Sequence, residues 1–176
     1  MATPYGHALA GLSLLNLWGL KRPLKMSAWS LYGLVILGAC LPDLDFLPGL
    51  LIGKGGHFHH GIIHSVGFVL TVSLLIWFGI VFFKKSPEIL KTGGLILSLT
   101  LSHLILDYLT EAPKGFPLLW PFSEIPCLFP WPIFPRVERN WLHPQIWSQI
   151  RLCFLVETFL LAPLWLVTMG YPSDKT

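Results

Sequence analysis

This sequence is short of charged residues. Asp, Glu, Lys and Arg make up 12% of its 176 residues, about half of the ~25% usual in soluble domains. So little charge excludes a disordered chain, and a net charge of +3 without a basic stripe argues against nucleic-acid binding. Three cysteines, an odd number, argue against a secreted disulfide scaffold. With 53% hydrophobic residues, we interpret the chain as an integral membrane protein.

Five apolar segments are candidates for membrane-spanning helices. Residues 65–83 contain no charged residue, and their number is close to the ~20 that cross a bilayer core. The other candidates are residues 3–20, 26–41, 92–110 and 147–169. Thr3-Pro4 is typical of a helix start. We therefore predict an all-α bundle of about five transmembrane helices, forming a single domain over residues 1–176.

The segment between the last two predicted helices, residues 111–146, is rich in proline and aromatic residues. It contains Phe-Pro-Leu-Leu-Trp-Pro-Phe and Leu-Phe-Pro-Trp-Pro-Ile-Phe-Pro. Proline at this density excludes a regular helix, and Trp is common at membrane interfaces. We predict a non-helical cap on the outer leaflet, which either covers a functional site or is an interfacial anchor alone.

Two short loops hold half of the basic residues and predict the orientation. The loops contain Lys21, Arg22 and Lys25, and then Lys84, Lys85 and Lys91. The positive-inside rule places such loops in the cytoplasm. The N-terminus, residues 42–61 and residues 111–146 are then predicted to lie on the outer side.

The rare ionisable residues near the helix ends fall on this same predicted outer side, although only Lys and Arg were used to orient the chain. Ionisable residues at membrane depth are costly and usually face the bundle interior. One shared pocket is therefore indicated. The candidate metal ligands are His7, Asp43, Asp45, His59, His64, His103 and Asp107.

The spacing of these residues favours metal binding. His103 and Asp107 are four residues apart and share one helix face, as in zinc-binding helices. Seven candidates exceed the three or four protein ligands of one zinc ion, so two metals sharing a carboxylate would use them better. A bonded His103–Asp107 pair, turn chemistry at Asp43 and Asp45, and a solvated loop holding His57, His59 and His60 are the alternatives. Glu157, inside the last helix, is predicted to be a structural partner or to extend its carboxylate to the membrane surface, and a role in orienting a metal ligand is the alternative.

Four ordered motifs and an early histidine, His7, resemble the YdjM-like family of membrane-bound metal-dependent hydrolases. The motifs are Leu-Pro-Asp-Leu-Asp (41–45), His-His-Gly-Ile-Ile-His-Ser (59–65), Ser-His-Leu-Ile-Leu-Asp-Tyr-Leu-Thr (102–110) and Leu-Leu-Trp-Pro-Phe-Ser (118–123). The resemblance implies that all seven candidates are metal residues. The family is more remotely similar to zinc phospholipase C and P1-type nucleases, which are all-helical and cleave phosphate esters with several zinc ions.

The chain departs from the family pattern at three positions. Gly6 and Ile63 stand where Thr is usual, and His60 stands where Arg is usual. These departures put in doubt an anion-binding Arg and two hydroxyls. His60, if protonated, could partly replace the Arg.

The leading hypothesis is a metal-dependent hydrolase acting on a phosphate ester of a lipid-linked or membrane-proximal substrate. It would lie in the cytoplasmic membrane of a bacterium or archaeon with its site facing outward. One to three divalent ions are expected, zinc first, with manganese or iron as alternatives. Asp43, Asp45 and His60 are the candidate catalytic residues. The rival hypotheses are metal-ion binding or transport without hydrolysis, and a b-type cytochrome with His64 and His103 as haem ligands.

Overall fold

The computed structural model describes residues 2–20, 26–53, 59–83, 89–138 and 143–170. The α-helices are α1 (Pro4–Trp18), α2 (Ala28–Ala39), α3 (Phe46–Leu51), α4 (Val66–Phe83), α5 (Ile89–Tyr108) and α6 (Ile146–Met169). Two short 3₁₀ turns, Leu41–Asp45 and Ile62–His64, precede α3 and α4. The described residues contain two isolated β-bridges and no named strand. The prediction of an all-α helical bundle is confirmed.

Three of the described helices, α4, α5 and α6, are long and apolar enough to cross a membrane. A fourth span is possible if α2 and residues Leu41–Leu51, which meet at 62°, are taken together. The expectation of about five spans thus becomes three or four. The difference lies in α1, and also in α2 when that 12-residue helix is counted alone. The 15 residues of α1 measure about 22 Å at ~1.5 Å per residue, well short of a ~30 Å core.

Helix α1 lies at the centre of the described bundle and packs against α2, α5 and α6, whereas α4 packs against α5. The predicted start at Thr3-Pro4 is confirmed, because Thr3 is the N-cap of α1. Gly94 of α5 makes room for the neighbouring helix, since a Cβ there would lie 2.2 Å from the Trp18 ring. The Trp18 indole also donates to Ser98 Oγ at 3.2 Å. These contacts bring α1 and α5, which both carry site residues, close together.

The Pro/aromatic segment is non-helical over residues 111–138 and 143–145, as predicted, and α6 begins at Ile146, one residue before the predicted start of the last helix. Its backbone closes the start of α4, because Val66 N–H donates to Leu118 O at 2.9 Å and Gly67 N–H donates to Trp120 O at 3.1 Å. Buried helix ends need such partners for their free N–H groups. The cap is therefore part of the bundle.

The loops that oriented the chain fall mostly outside the described residues. The basic residues Lys21, Arg22, Lys25, Lys84 and Lys85 lie outside the described residues. His57, which was assigned to a solvated loop as one alternative, lies outside them too. The sidedness of the protein stays a prediction.

Candidate metal centre

All seven predicted ligands lie together at one end of the bundle. His7 comes from the first turns of α1, and His103 and Asp107 come from the second half of α5. Asp43 and Asp45 come from the 3₁₀ turn after α2, and His59 and His64 come from the chain entering α4. Six of the seven are buried; Asp43 has a side chain that is 13% exposed. The fold brings together residues that are separated by up to a hundred positions in the sequence.

Four of these side chains have the spacing of ligands around one tetrahedral ion. His64 Nε2 and His103 Nε2 are 3.3 Å apart. Asp43 Oδ1 lies 3.5 Å from His64 Nε2 and 3.4 Å from His103 Nε2, and Asp107 Oδ2 lies 3.4 Å from each of these nitrogens. Two ligands about 2.1 Å from a tetrahedral ion are about 3.4 Å apart, whereas a charged hydrogen bond is ~2.7–2.9 Å long. These four side chains can therefore hold a metal ion.

The outer nitrogens of three imidazoles lie beside oxygen atoms, with hydrogen bonds at His103 and His59 and a close approach without a hydrogen bond at His64. His103 Nδ1 donates to the backbone oxygen of Ala39 at 2.8 Å. Asp45 Oδ1 lies 2.6 Å from His59 Nδ1, and Asp45 Oδ2 lies 3.1 Å from His64 Nδ1. Metal-binding histidines typically donate their second N–H in this manner. Asp45 thus contacts the far sides of two imidazoles, whereas Asp43 faces their Nε2 atoms.

Several buried polar atoms of the cluster make no hydrogen bond within the described part of the chain. They include both ring nitrogens of His7, both carboxylate oxygens of Asp43, and Asp107 Oδ2. The His7 ring stacks on His103 with centroids 3.8 Å apart, and its Nε2 lies 3.5 Å from Asp107 Oδ1. Buried polar groups rarely lack partners, so these atoms fit a bound cation. Imidazole and carboxylate donors suit zinc, manganese or iron.

A second group of possible ligands adjoins the first and consists of His59, His60 and His64. His60 has a backbone φ of 67°, an uncommon conformation for a non-glycine residue, and its Nε2 lies 3.5 Å from Asp107 Oδ2. Burial lowers the pKa of His60 to about 4. The imidazole is then neutral at pH 7, the form that binds metals. His60 was predicted as a catalytic residue that replaces the family's Arg if protonated, and its lowered pKa opposes that protonated form. Its position makes it a further candidate ligand.

The cap covers the histidines through one aromatic side chain that sequence reasoning did not single out. Phe116 is 1% exposed, and its ring centroid lies 5.3 Å from that of His60 and 6.1 Å from that of His64. Phe116 thus places the cap in contact with two histidines of the candidate site. Phe116 was one of many aromatic residues in that segment, so the sequence offered no signal for it.

The buried carboxylate of Glu157 holds the first turn of α1. Thr3 N–H donates to Glu157 Oε1 at 2.6 Å, and the Thr3 hydroxyl donates to Oε2. A carboxylate at a helix N-terminus satisfies free N–H groups and opposes the helix dipole. Just before this turn, Ala2 N–H donates to Asp107 Oδ1 at 3.0 Å. Glu157 therefore anchors the turn that carries His7 to α6.

The close packing of Glu157 against α1 also explains why position 6 is glycine. A Cβ at Gly6 would lie 2.7 Å from Glu157 Cδ. We expect Gly6→Ala to cost about 1–3 kcal/mol by overpacking. Gly33→Ala is the matched control, because a Cβ at Gly33 of α2 would meet nothing within 4 Å, and it should stabilise by about 0.5–1 kcal/mol. Unfolding of both variants in mixed micelles tests this, and equal stabilities would contradict it.

These features define a class: multi-pass helical membrane proteins whose helix ends enclose a buried His/Asp cluster able to hold metal. The chain belongs to the YdjM family, whose model, described as YdjM inner membrane protein, matches residues 1–173. The family predicted from the motifs is thereby confirmed. The chain is also 30% identical over 140 residues to "Inner membrane protein YbcI" of Escherichia coli (strain K12), covering 74% of this chain and 80% of that protein. No solved structure matches the chain.

Proposed function

We propose that this protein is a metal-dependent hydrolase of phosphate esters. The observation that carries the proposal is the tetrahedral spacing of Asp43, His64, His103 and Asp107 beside an open pocket. A purely structural metal site needs no access for a substrate. Here a cavity of about 460 Å³ is lined by His59 and His60 of the adjoining histidine group.

The residues divide into ligands and side chains that orient them. Asp43, His64, His103 and Asp107 would hold one ion, and the adjoining group His59, His60 and His64 would hold a second. His7 lies beside Asp107 and would assist the first group. A divalent ion, with zinc as the proposed identity, supplies Lewis acidity that polarises a phosphate ester and activates water. Asp45 orients His59 and His64. Asp43, the site carboxylate whose side chain is the most exposed at 13%, would accept the proton.

A substrate at the membrane surface is supported by the cap. Phe122 and Trp131 on its outer side are 95% and 77% exposed, which suits contact with lipid headgroups and acyl chains. The pocket opens among cap residues, so a lipid-linked phosphate ester could reach the cluster from the bilayer. The basic loops place this face on the outside of the cytoplasmic membrane in our proposal.

The test is hydrolysis by purified protein in detergent, first stripped of metal and then supplied with zinc or manganese. Bis-p-nitrophenyl phosphate and p-nitrophenyl phosphate are the probes. We expect metal-dependent release of nitrophenol, reduced by about 100-fold or more in His103→Ala, the scale of losing a catalytic group. His143→Ala, outside the cluster, is the control and should match wild type. If the metal-loaded wild type hydrolyses neither probe and no lipid phosphate ester, the proposal fails.

A further inference from the structure

We propose that Lys114 and Arg136 in the cap bind the phosphate group of the substrate at the mouth of the pocket. The inference rests on the proposed function, and it names the chemical class that the pocket recognises: an organic phosphate presented at the membrane surface. No residue of the metal cluster supplies this contact.

The pocket has two chemically different walls. His59 and His60, from the histidine group that adjoins the metal cluster, form one part of its lining, and two stretches of the cap, residues 111–115 and 136–138, form the rest. Two cationic residues, Lys114 and Arg136, belong to the cap part. A ligand that fills the pocket would therefore meet both the histidines and the two cations.

Backbone pairing that begins two residues after Asp107 builds the cap wall. Ile133 N–H and Phe134 N–H donate to Leu109 O at 2.8 and 3.2 Å, and Glu111 N–H donates to Phe134 O at 3.0 Å. Residues 111–115 thus follow closely after the end of α5, and residues 136–138 follow the stretch that is paired with it. The cations are tied to the same helix that carries His103 and Asp107.

Lys114 occupies a tight turn. Gly115 N–H donates to Ala112 O at 2.9 Å, and Gly115 has a left-handed φ of 60°. A Cβ at Gly115 would lie 2.5 Å from the backbone oxygen of Cys127, so this turn needs glycine. The backbone that presents Lys114 is therefore closely packed.

The position of Arg136 is supported by Glu138, which in turn contacts α6. Its Nη2 lies 3.7 Å from Glu138 Oε2, and Glu138 N–H donates to Gln149 Oε1 of α6 at 2.8 Å. The Arg136 side chain is 41% exposed and lines the pocket, so a ligand can reach it. Guanidinium groups bind phosphate through two parallel hydrogen bonds, and an ammonium group adds a point charge.

The pocket also contains Glu111 and Glu138. Two acids and two bases leave the lining close to neutral, so the bases alone would hold an anion weakly. When a metal ion is bound beside the histidines, the metal ion and the side chains of Lys114 and Arg136 attract the same anion. Phosphate binding should therefore need the metal as well as Arg136 and Lys114.

Titration calorimetry with inorganic phosphate tests the proposal on zinc-loaded and metal-free full-length protein. We expect Arg136→Gln to weaken phosphate binding about tenfold, since one charge-assisted hydrogen bond is lost, and the Lys114→Gln/Arg136→Gln double variant to weaken it further. Metal content should stay at the wild-type value. Arg151→Gln, an exposed arginine of α6 outside the pocket, is the matched control and should bind phosphate normally.

Phosphate affinity within twofold of wild type in the fully metal-loaded double variant would overturn the inference. If phosphate binding depends on Arg136 but no phosphate ester is hydrolysed, the phosphate-binding role of the pocket is supported and the proposed hydrolase activity is rejected. A comparison of phosphatidic acid in nanodiscs with soluble glycerol 3-phosphate identifies the source of the phosphate. Arg136-dependent binding of either compound supports the inference, and binding of neither overturns it.

Discussion

The Asp107→Asn protein is expected to fold and to lose its metal. Asp107 Oδ2 lies 3.4–3.5 Å from the Nε2 atoms of His60, His64 and His103. Asparagine keeps the size of the side chain but removes the negative charge that a cation requires. Loss of a residue that merely orients a ligand weakens metal binding by about 10–100-fold, so loss of this central ligand should exceed that range. Metal analysis of purified protein, with competition by a chelator, measures the affinity.

A matched acid outside the site provides the control. Glu124 is an exposed carboxylate of the cap, and Glu124→Gln should bind metal as wild type does. Asp45→Asn should fall between the two, because Asp45 contacts the far sides of His59 and His64. Wild-type metal affinity in folded Asp107→Asn would contradict the assigned ligand set.

Glu157→Ala is expected to cause the largest loss of stability among the single substitutions considered. It removes the acceptor of the Thr3 N–H and hydroxyl groups at a buried helix start. An unpaired buried donor costs about 1–3 kcal/mol, so the free energy of unfolding should fall by about 2–4 kcal/mol. Metal affinity should also fall, because the freed first turn of α1 carries His7. Unfolding in mixed micelles, followed by circular dichroism, measures the first effect.

Glu157→Gln separates the hydrogen bonds from the charge. The amide keeps one acceptor, so this variant should lose less stability than Glu157→Ala. Glu124→Gln, exposed on the cap, should stay within about 0.5 kcal/mol of wild type. A Glu157→Ala protein as stable as wild type would show that the contact with Thr3 does not hold α1.

The location of the site could be predicted because in an apolar chain each ionisable residue is informative. His7, Asp43, Asp45, His64 and His103 stood out against long hydrophobic segments, and helix periodicity paired His103 with Asp107. The non-helical cap followed from its prolines in the same way. These inferences depend on local composition and spacing, which a single sequence contains.

The division of roles within the site could not be predicted, because it depends on three-dimensional geometry. Asp43 and Asp45 lie in a 3₁₀ turn, and its geometry sends the two carboxylates to opposite sides of the imidazoles. The partnership of Glu157 with Thr3 links residues 154 positions apart, which no local pattern encodes. Fewer spans were found than predicted because apolar composition does not report the short length of α1.

X-ray absorption of the zinc-loaded protein tests the central claim most directly. The account predicts a first shell of nitrogen and oxygen at about 2.0–2.1 Å, with the outer-shell scattering of imidazole rings, and loss of this signal in Asp107→Asn. A shell of sulfur at about 2.3 Å, or a wild-type protein that retains no metal after removal of excess zinc, would contradict it.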